Sequence, residues 1–236
     1  MKNIDINADM GEGYGIYKVG DDAALMPYIT SANIACGFHA GDYNTMHKTV
    51  GLAQENKLKI GAHPGYPDRM EFGRKAMHYD LEVLRAQLLY QLGALDAMIR
   101  YRGGQLHHVK PHGAFYHLAT SDKAVAEMIA ETVAAMGQDI ALVGMYEAEM
   151  RLAASKYGLP YKSEIFADRR YQKNGLLVPR DQADAVITDV DEGIAQIKAL
   201  LTGGYPVDTI CVHGDNRESL IFAKAIYDMV YGNDPA

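Results

Sequence analysis

Acidic, imidazole and amide side chains recur at the ends of short apolar segments throughout this sequence. The segment IDINADM ends near Asp9, and NIACGFHAGD places Asn33 and His39 on either side of an apolar stretch. Further along, HVKPHG carries Lys110 and His112 two positions apart. Carboxylates and imidazoles act as general acids and bases, and an ammonium group neutralises negative charge on a substrate. These residue types therefore indicate a catalytic or ligand-binding site.

The apolar segments have the length and alternation of β-strands, and helical segments separate them. We expect strands at 4–10, 31–38, 59–64, 106–113, 140–146, 161–169 and 209–216. The clearest helical spacing lies at 80–100, where leucines recur at steps of three and four. The other expected helices are 42–56, 122–136, 147–157, 189–202 and 216–231. Repeated strand–helix units predict a parallel sheet, either closed as a barrel or open and doubly wound.

Seven strands without a dinucleotide-binding fingerprint favour the closed α/β form, a seven-stranded parallel β/α barrel. No linker rich in Pro, Gly or Ser divides the chain, so we expect residues 1–236 to form a single barrel domain. Alternation along each strand would turn the polar side chains to one face. Ligand sites of parallel α/β folds lie at the carboxyl ends of the strands, which is where these polar residues occur.

The polar strand ends supply candidates for one common site. The residues expected to act in catalysis are Asp9, His39, His63, Lys110, His112, Asp168, His213 and Asp215. Those expected to bind the substrate are Asn7, Glu12, Asn33, Glu164, Arg169 and Asn216. Buried ionisable groups are costly unless they pair or bind something, so their number favours a functional site. Asp9 and His63 are our leading candidates for proton transfer.

A divalent metal ion is an open alternative for part of this site. Asp9, His39 and His63 come from three successive strand ends, and carboxylates and imidazoles are common metal ligands. No C-x-x-C motif supports a metal locally. The sequence therefore permits a metal at these three residues without requiring one.

Other motifs have a structural interpretation beside a functional one. The glycine-rich segment 11–15 could present backbone N–H groups to an anion or form an ordinary turn. Arg170 and Arg180 could clamp an anionic substrate or form surface salt bridges. The tyrosines are interpreted as packing groups. Three histidines away from the strand ends are interpreted as surface or packing residues: His47, His78 and His117.

Composition argues against several classes of partner. The net charge is -7 and the sequence has no basic run, so we expect no nucleic acid partner. Acidic residues near the start replace the apolar stretch of a signal peptide, and no segment is apolar enough to predict a membrane span. Cys36 and Cys211 lie in apolar segments, which suits a reducing compartment. We therefore expect a cytoplasmic protein.

Taken together, the strand-end segments resemble the LamB/YcsF family. The matching segments are NADMGEGYG, ITSANIACGFHAGD, IGAHPGYPD with FGR, HVKPHGAFY, FADRRY, LVPR and CVHGDN, in this order along nearly the full chain. The resemblance implies a barrel of the glycoside hydrolase/deacetylase type. It also implies ATP-dependent opening of 5-oxo-L-proline to L-glutamate, with partner subunits B and C. The sequence lacks a Walker-type nucleotide loop, which leaves open which chain binds ATP.

The reaction implied by the family suits these residue types. Phosphorylation of the amide oxygen would make the lactam carbon electrophilic, after which water adds, the C–N bond breaks and an acyl phosphate is hydrolysed. Lys110 and Arg169 could neutralise oxygen charge, while carboxylates and imidazoles move protons. Two other interpretations stay open, a stand-alone metal-dependent deacetylase or amidohydrolase and a non-catalytic lactam-binding subunit.

Overall fold

Parallel strands pair in chain order and close on themselves. The structure, a computed structural model, describes residues 4–180, 182–214 and 218–232. Its strands are β1 (Asp5–Met10), β2 (Ser31–Ala35), β3 (Lys59–His63), β4 (His108–Val109), β5 (Ala141–Gly144), β6 (Tyr161–Phe166) and β7 (Thr209–Val212). Each strand pairs with the next, and β7 pairs with β1. The seven-stranded parallel barrel is thus confirmed over the open sheet.

Helices follow the strands and cover the outside of the barrel. They are α1 (Asp22–Leu25), α2 (Tyr43–Glu55), α3 (Leu81–Tyr101), α4 (Gly113–Ser121), α5 (Lys123–Met136), α6 (Glu149–Tyr157), α7 (Val190–Thr202) and α8 (Ser219–Tyr231), with a 3-10 turn at Met26–Tyr28. All six helices expected from the sequence are present, with small shifts at their ends. Across the described residues, every helix is too short or too polar to cross a membrane.

The fourth strand differs most from its predicted extent, and β2 and β6 also end three residues before their expected ends. The segment 106–113 was expected to be one strand, but only His108–Val109 pairs as β4, and helix α4 begins at Gly113. Pro111 has no N–H to donate to a ladder, which shortens the strand. Beyond β4 the chain still runs alongside β3, since the Lys110 N–H donates a hydrogen bond to the Ala62 carbonyl at 2.9 Å. Alternation of the side chains is therefore kept beyond the end of β4.

The two faces of the barrel wall differ in chemistry. Ile6, Ala8 and Met10 of β1 are fully buried in the apolar layer between the strands and the helices. Asn7 and Asp9 alternate with them and point into the barrel, where both contact the Lys110 ammonium group. Apolar packing of the outer face thus holds a polar interior in place.

Candidate active site

A cavity of about 460 Å³ opens at the carboxyl ends of the strands. This volume lies within the range of small-molecule binding sites. Five residues expected to act in catalysis line the cavity: Asp9, His63, Lys110, His112 and His213. Two more lie behind the wall, since His39 stacks on the His112 ring and Asp168 bonds to His213. The structure therefore brings these seven candidates to one place, as the strand-end pattern predicted.

The residues expected to bind the substrate are distributed more widely. Arg169 lines the cavity. Four others lie beneath or beside the cavity without lining it: Asn7, Glu12, Asn33 and Glu164. The last two candidates from the sequence, Asp215 and Asn216, lie outside the described residues.

Lys110 is the centre of the group that we call the charged cluster, which comprises Asp9, Lys110, Glu164, Asp168 and His213. Its ammonium nitrogen lies 3.2 Å from Asp9 Oδ1, 3.1 Å from Glu164 Oε2 and 2.9 Å from Cys211 Sγ. Burial alone would lower the pKa of Lys110, but Asp9, Cys211 and Glu164 together outweigh it and hold that pKa well above its usual value. Lys110 is therefore a fixed positive charge between two carboxylates.

Asp9 stays ionised for the corresponding reason. Burial alone would raise the pKa of this carboxyl, but His63 and Lys110 outweigh it and hold the pKa well below its usual value. Asn33 donates a further hydrogen bond to Asp9 Oδ1 at 2.8 Å. A carboxylate held in this way can accept a hydrogen bond from a ligand in the cavity beside it.

An amide network lies below the charged cluster, inside the barrel. Asn7 donates to Thr209 Oγ1 at 2.7 Å and accepts from Asn33 at 2.7 Å. The side-chain oxygen Oδ1 of Asn33 in turn lies 2.7 Å from His108 Nε2. These amides fix the positions of the residues above them, because each side chain is tied to a neighbouring strand.

Asp168 and His213 form a hydrogen-bonded pair at the ends of β6 and β7. The His213 Nδ1 atom lies 2.9 Å from both oxygens of Asp168, which is fully buried. A carboxylate in this position fixes the ring orientation, so that Nδ1 carries the proton and Nε2 is directed to other groups. Because His213 also lines the cavity, the pair has the geometry of a general base or acid.

Next to the charged cluster, at the same mouth of the barrel, lies the histidine cluster, which comprises Glu12, His39, His63 and His112. The His63 Nε2 and His112 Nδ1 atoms lie 2.9 Å apart, and the His39 and His112 rings stack with centroids 3.8 Å apart. Burial holds the pKa values of His39 and His112 well below the usual value for histidine. Both rings are therefore neutral at neutral pH. His63 Nε2 also lies 3.3 Å from Asp9 Oδ2, which connects the two clusters.

The histidine cluster brings together a different set of possible metal-binding atoms from the set expected from the sequence, which was Asp9, His39 and His63. One atom from each of its four residues lies within 4.8 Å of the others. Asp9 belongs instead to a second such group, with Cys211 and His213. His39 and His63 thus share a donor group with Glu12 and His112.

The glycine-rich segment after β1 forms a turn that carries Glu12. Three of its N–H groups have protein acceptors: Gly11 donates to Asp22 Oδ2 at 2.9 Å, Tyr14 to the Tyr17 carbonyl at 2.9 Å and Gly15 to Asp42 Oδ2 at 2.6 Å. Gly11 has a φ of +68°, which glycine adopts without strain. These contacts favour the turn interpretation of this segment over the anion-binding one.

Basic residues form the outer wall of the cavity. Arg74, Arg169 and Arg180 all line it. Burial, with the nearby Arg180 charge, lowers the pKa of Arg169 to about 10, so its guanidinium stays charged at neutral pH. Arg170, in contrast, forms a salt bridge with Glu192 at the surface. This wall favours an anionic ligand.

Three polar residues of the cavity wall were not predicted as site residues from the sequence. His117 and Tyr116, interpreted above as surface or packing residues, lie on α4 and line the cavity. The signal that could have located them is Pro111 followed by Gly113, which ends a strand and permits a helix. Arg74 also lines the cavity but lies in a loop. Loop position is not encoded in strand alternation, and only the family-matching segment FGR contained this residue.

Comparison with known proteins places this geometry in a family. The A subunit of 5-oxoprolinase from Brevibacillus brevis is 43% identical, over 98% of this chain and 96% of that protein. The protein of the same name from Clostridium kluyveri is also 43% identical, over 96% and 93%. The crystal structure of a lactam utilization protein from Thermus thermophilus matches with a TM-score of 0.89 and 36% identity, covering 96% of this chain and 95% of that chain. A GH113 β-1,4-mannanase structure, at 12% identity and a TM-score of 0.53, shares the fold alone. The LamB/YcsF family model matches residues 4–234. The chain belongs to the LamB/YcsF family.

Proposed function

We propose that this chain is the A subunit of an ATP-dependent 5-oxoprolinase. The complex would open the lactam of 5-oxo-L-proline to L-glutamate, with ADP and phosphate as products. The observation that carries the proposal is similarity over nearly the full length to relatives named as this subunit of 5-oxoprolinase. Because that similarity covers whole chains, it includes the strand ends that form the cavity.

The proposed substrate suits the cavity in size and charge. 5-Oxo-L-proline is a small ring with one carboxylate, and the cavity of about 460 Å³ has basic residues on its outer wall. We assign the substrate carboxylate to Arg169 and Arg180, because guanidinium groups offer paired donors to carboxylate oxygens. The lactam ring would then lie deeper, toward the charged cluster.

The Asp168–His213 pair is our candidate for proton transfer. Amide resonance keeps a lactam carbonyl unreactive, and phosphorylation of its oxygen removes that resonance. His213 would take a proton from the attacking water, and Asp168 would stabilise the imidazolium that forms. The ring C–N bond then breaks, its nitrogen takes a proton, and a second water hydrolyses the acyl phosphate. Lys110 and Asp9 keep opposite charges fixed beside these steps.

We further propose that ATP is used in a complex with partner subunits B and C. The relatives carry the word subunit in their names, and this sequence lacks a Walker-type loop. We place the complex in the cytoplasm, where ATP is available. Both cysteines of this chain are free thiols and buried, which suits a reducing compartment.

Reconstitution tests the proposal directly. The chain is combined with subunits B and C encoded by the same genome, and glutamate and ADP are measured with 5-oxo-L-proline as substrate. We expect glutamate release only when ATP, this chain and both partners are present. Glutamate release that is equally fast without this chain would contradict its catalytic role.

A stand-alone metal-dependent amidohydrolase is the second candidate. One observation favours it, the convergence of Glu12 and three histidines beside the cavity. This function would give amide hydrolysis by the isolated chain without ATP, abolished by a chelator. The same reconstitution, run without partners or ATP, separates the two candidates.

A further inference from the structure

Hydrogen bonds fix the tautomers of two histidines in the histidine cluster. His63 Nδ1 lies 2.7 Å from the Lys110 carbonyl oxygen, and His112 Nε2 lies 2.8 Å from the Phe72 carbonyl oxygen. A carbonyl oxygen only accepts, so each of these nitrogens carries the proton. In the neutral rings, the lone pairs then belong to His63 Nε2 and His112 Nδ1.

These two lone-pair nitrogens face each other across 2.9 Å. Unless one ring carries an additional proton, no proton lies between them, and two lone pairs at hydrogen-bond distance repel. The contact therefore needs a positive charge, either one additional proton or a cation that both nitrogens bind. Histidine ligands of metal ions characteristically donate their other N–H to a backbone carbonyl, as these two do.

His39 adds a third imidazole that could bind a cation, and its ring nitrogens have no hydrogen-bond partner. The side chain is 1% exposed, and neither ring nitrogen makes a hydrogen bond. A Cβ on Gly65 would lie 2.5 Å from His39 Nδ1, so this nitrogen faces the backbone of Gly65 and the ring is packed in place. His39 Nε2 is then the nitrogen that points to Glu12.

Glu12 completes the group at distances that a cation explains. One carboxylate oxygen lies 3.8 Å from His39 Nε2 and 4.0 Å from His112 Nδ1. Both distances are too long for a hydrogen bond. Two ligands of one zinc ion, each about 2.0–2.2 Å from the metal, lie roughly 3–4 Å apart.

The convergence of four ligand atoms favours a cation over one extra proton. A proton shared by His63 and His112 would leave both ring nitrogens of the buried His39 without a hydrogen-bond partner, whereas one cation would bind all three histidines and Glu12.

We propose that Glu12, His39, His63 and His112 bind one divalent transition-metal ion of the Zn²⁺ class. Three imidazole nitrogens and one carboxylate oxygen suit such an ion, whereas Mg²⁺ and Ca²⁺ prefer oxygen ligands. The proposed ligands differ from the sequence expectation by the inclusion of Glu12 and His112 and by the exclusion of Asp9. The site does not depend on the proposed reaction, because its evidence lies in the side chains alone.

Metal binding by the isolated full chain tests this proposal. The protein is stripped with a chelator, dialysed against Zn²⁺ or Co²⁺, and its metal content is measured by elemental analysis. We expect about one ion per chain and a visible Co²⁺ spectrum of low coordination number. His39→Gln and Glu12→Gln should each bind roughly a hundredfold more weakly. His78→Gln, which changes an exposed histidine, is the matched control and should bind normally.

The outcomes separate the site from its alternative. Folding of each variant is checked by circular dichroism, and the two ligand variants give independent tests. Failure of the folded wild-type chain to retain Zn²⁺ or Co²⁺ would overturn the proposal and leave a shared proton between His63 and His112. Equal retention by wild-type, His39→Gln and Glu12→Gln would overturn it as well. Because no substrate, ATP or partner is present, neither result bears on the 5-oxoprolinase proposal.

Discussion

Two neighbouring clusters at the mouth of the barrel differ in how their buried polar groups are compensated. In the charged cluster, Lys110 lies between Asp9 and Glu164, so opposite charges satisfy each other. In the histidine cluster, His39 has no hydrogen-bond partner, and His63 and His112 direct lone pairs at each other. The first cluster is held together by ion pairs within the protein, whereas the second is completed by a cation.

This difference separates stability from function within one site. Removing one partner of a buried ion pair leaves the other charge uncompensated, so residues of the charged cluster should matter for folding as well as for catalysis. The imidazoles of His39 and His112, whose pKa values are lowered by burial, carry no such charge at neutral pH. Ligands of the histidine cluster should therefore tolerate isosteric substitution in the absence of metal.

The largest effect is expected from Lys110→Met. This change leaves two carboxylates buried without their common partner, which should lower the free energy of unfolding by about 3–5 kcal/mol. Urea denaturation measures the loss. Lys162→Met, on the exposed face of β6, is the matched control and should change little. If Lys110→Met were about as stable as wild type, the ion pairs of Lys110 with Asp9 and Glu164 would not stabilise the fold, contrary to this account.

Asp9→Asn should lower turnover strongly, and its folding is first verified because Asp9 pairs with Lys110. Asparagine has nearly the same shape but cannot hold a negative charge beside His63 and Lys110, so proton transfer in the cavity should suffer. We expect a loss of about a hundredfold in glutamate release by the complete complex. The exposed Asp139→Asn serves as control. Turnover near that of the control would remove Asp9 from the proton-transfer residues.

Arg180→Ala tests the basic wall, which belongs to neither cluster. Loss of a charge-assisted hydrogen bond of about 1.5–3 kcal/mol should raise the KM for 5-oxo-L-proline about tenfold or more. Arg170→Ala is the comparison, since Arg170 pairs with Glu192 at the surface. Equal effects of the two substitutions on KM would show that Arg180 does not hold the substrate carboxylate.

The smallest effect concerns the turn that holds Glu12 in the histidine cluster. Backbone N–H groups of Gly15 and Thr45 lower the pKa of Asp42. Because the folded-state pKa is lowered, the stabilisation is fully present above about pH 3.9, the ordinary value for aspartate. It is lost as the pH falls through the lowered value. Asp42→Ala should therefore cost about 1 kcal/mol at neutral pH and progressively less in acid, as urea denaturation at several pH values can measure. A difference independent of pH would contradict this account.

Much of the fold could be predicted from the sequence because strand and helix periods differ. Leu84, Leu88 and Leu92 of α3 recur on the buried face, as their spacing indicated. The prediction was wrong at 106–113, where continued alternation resembled one strand. The strand ends earlier, at Pro111 and at Gly113 with its positive φ, and the periodicity of apolar residues does not indicate such an end.

The sequence predicted which residues form much of the candidate site, but not the contacts between them. Asp9, His63 and His213 lie at the same mouth because they end parallel strands of one barrel. Their partners were not predictable, since contacts such as Lys110 with Glu164 depend on which strands face each other across the barrel. His117 was missed because a helix beyond a strand end, rather than a strand, carries it to the cavity.

The central claim is that the lactam opens at this mouth, with Asp168 and His213 moving the proton. Its most direct test is the rate of glutamate release by the complete complex assembled with Asp168→Asn, whose folding and assembly are first verified. Asparagine cannot fix the same His213 tautomer, so the account predicts a rate lower by about a hundredfold or more. A rate close to that of the wild-type complex would contradict it.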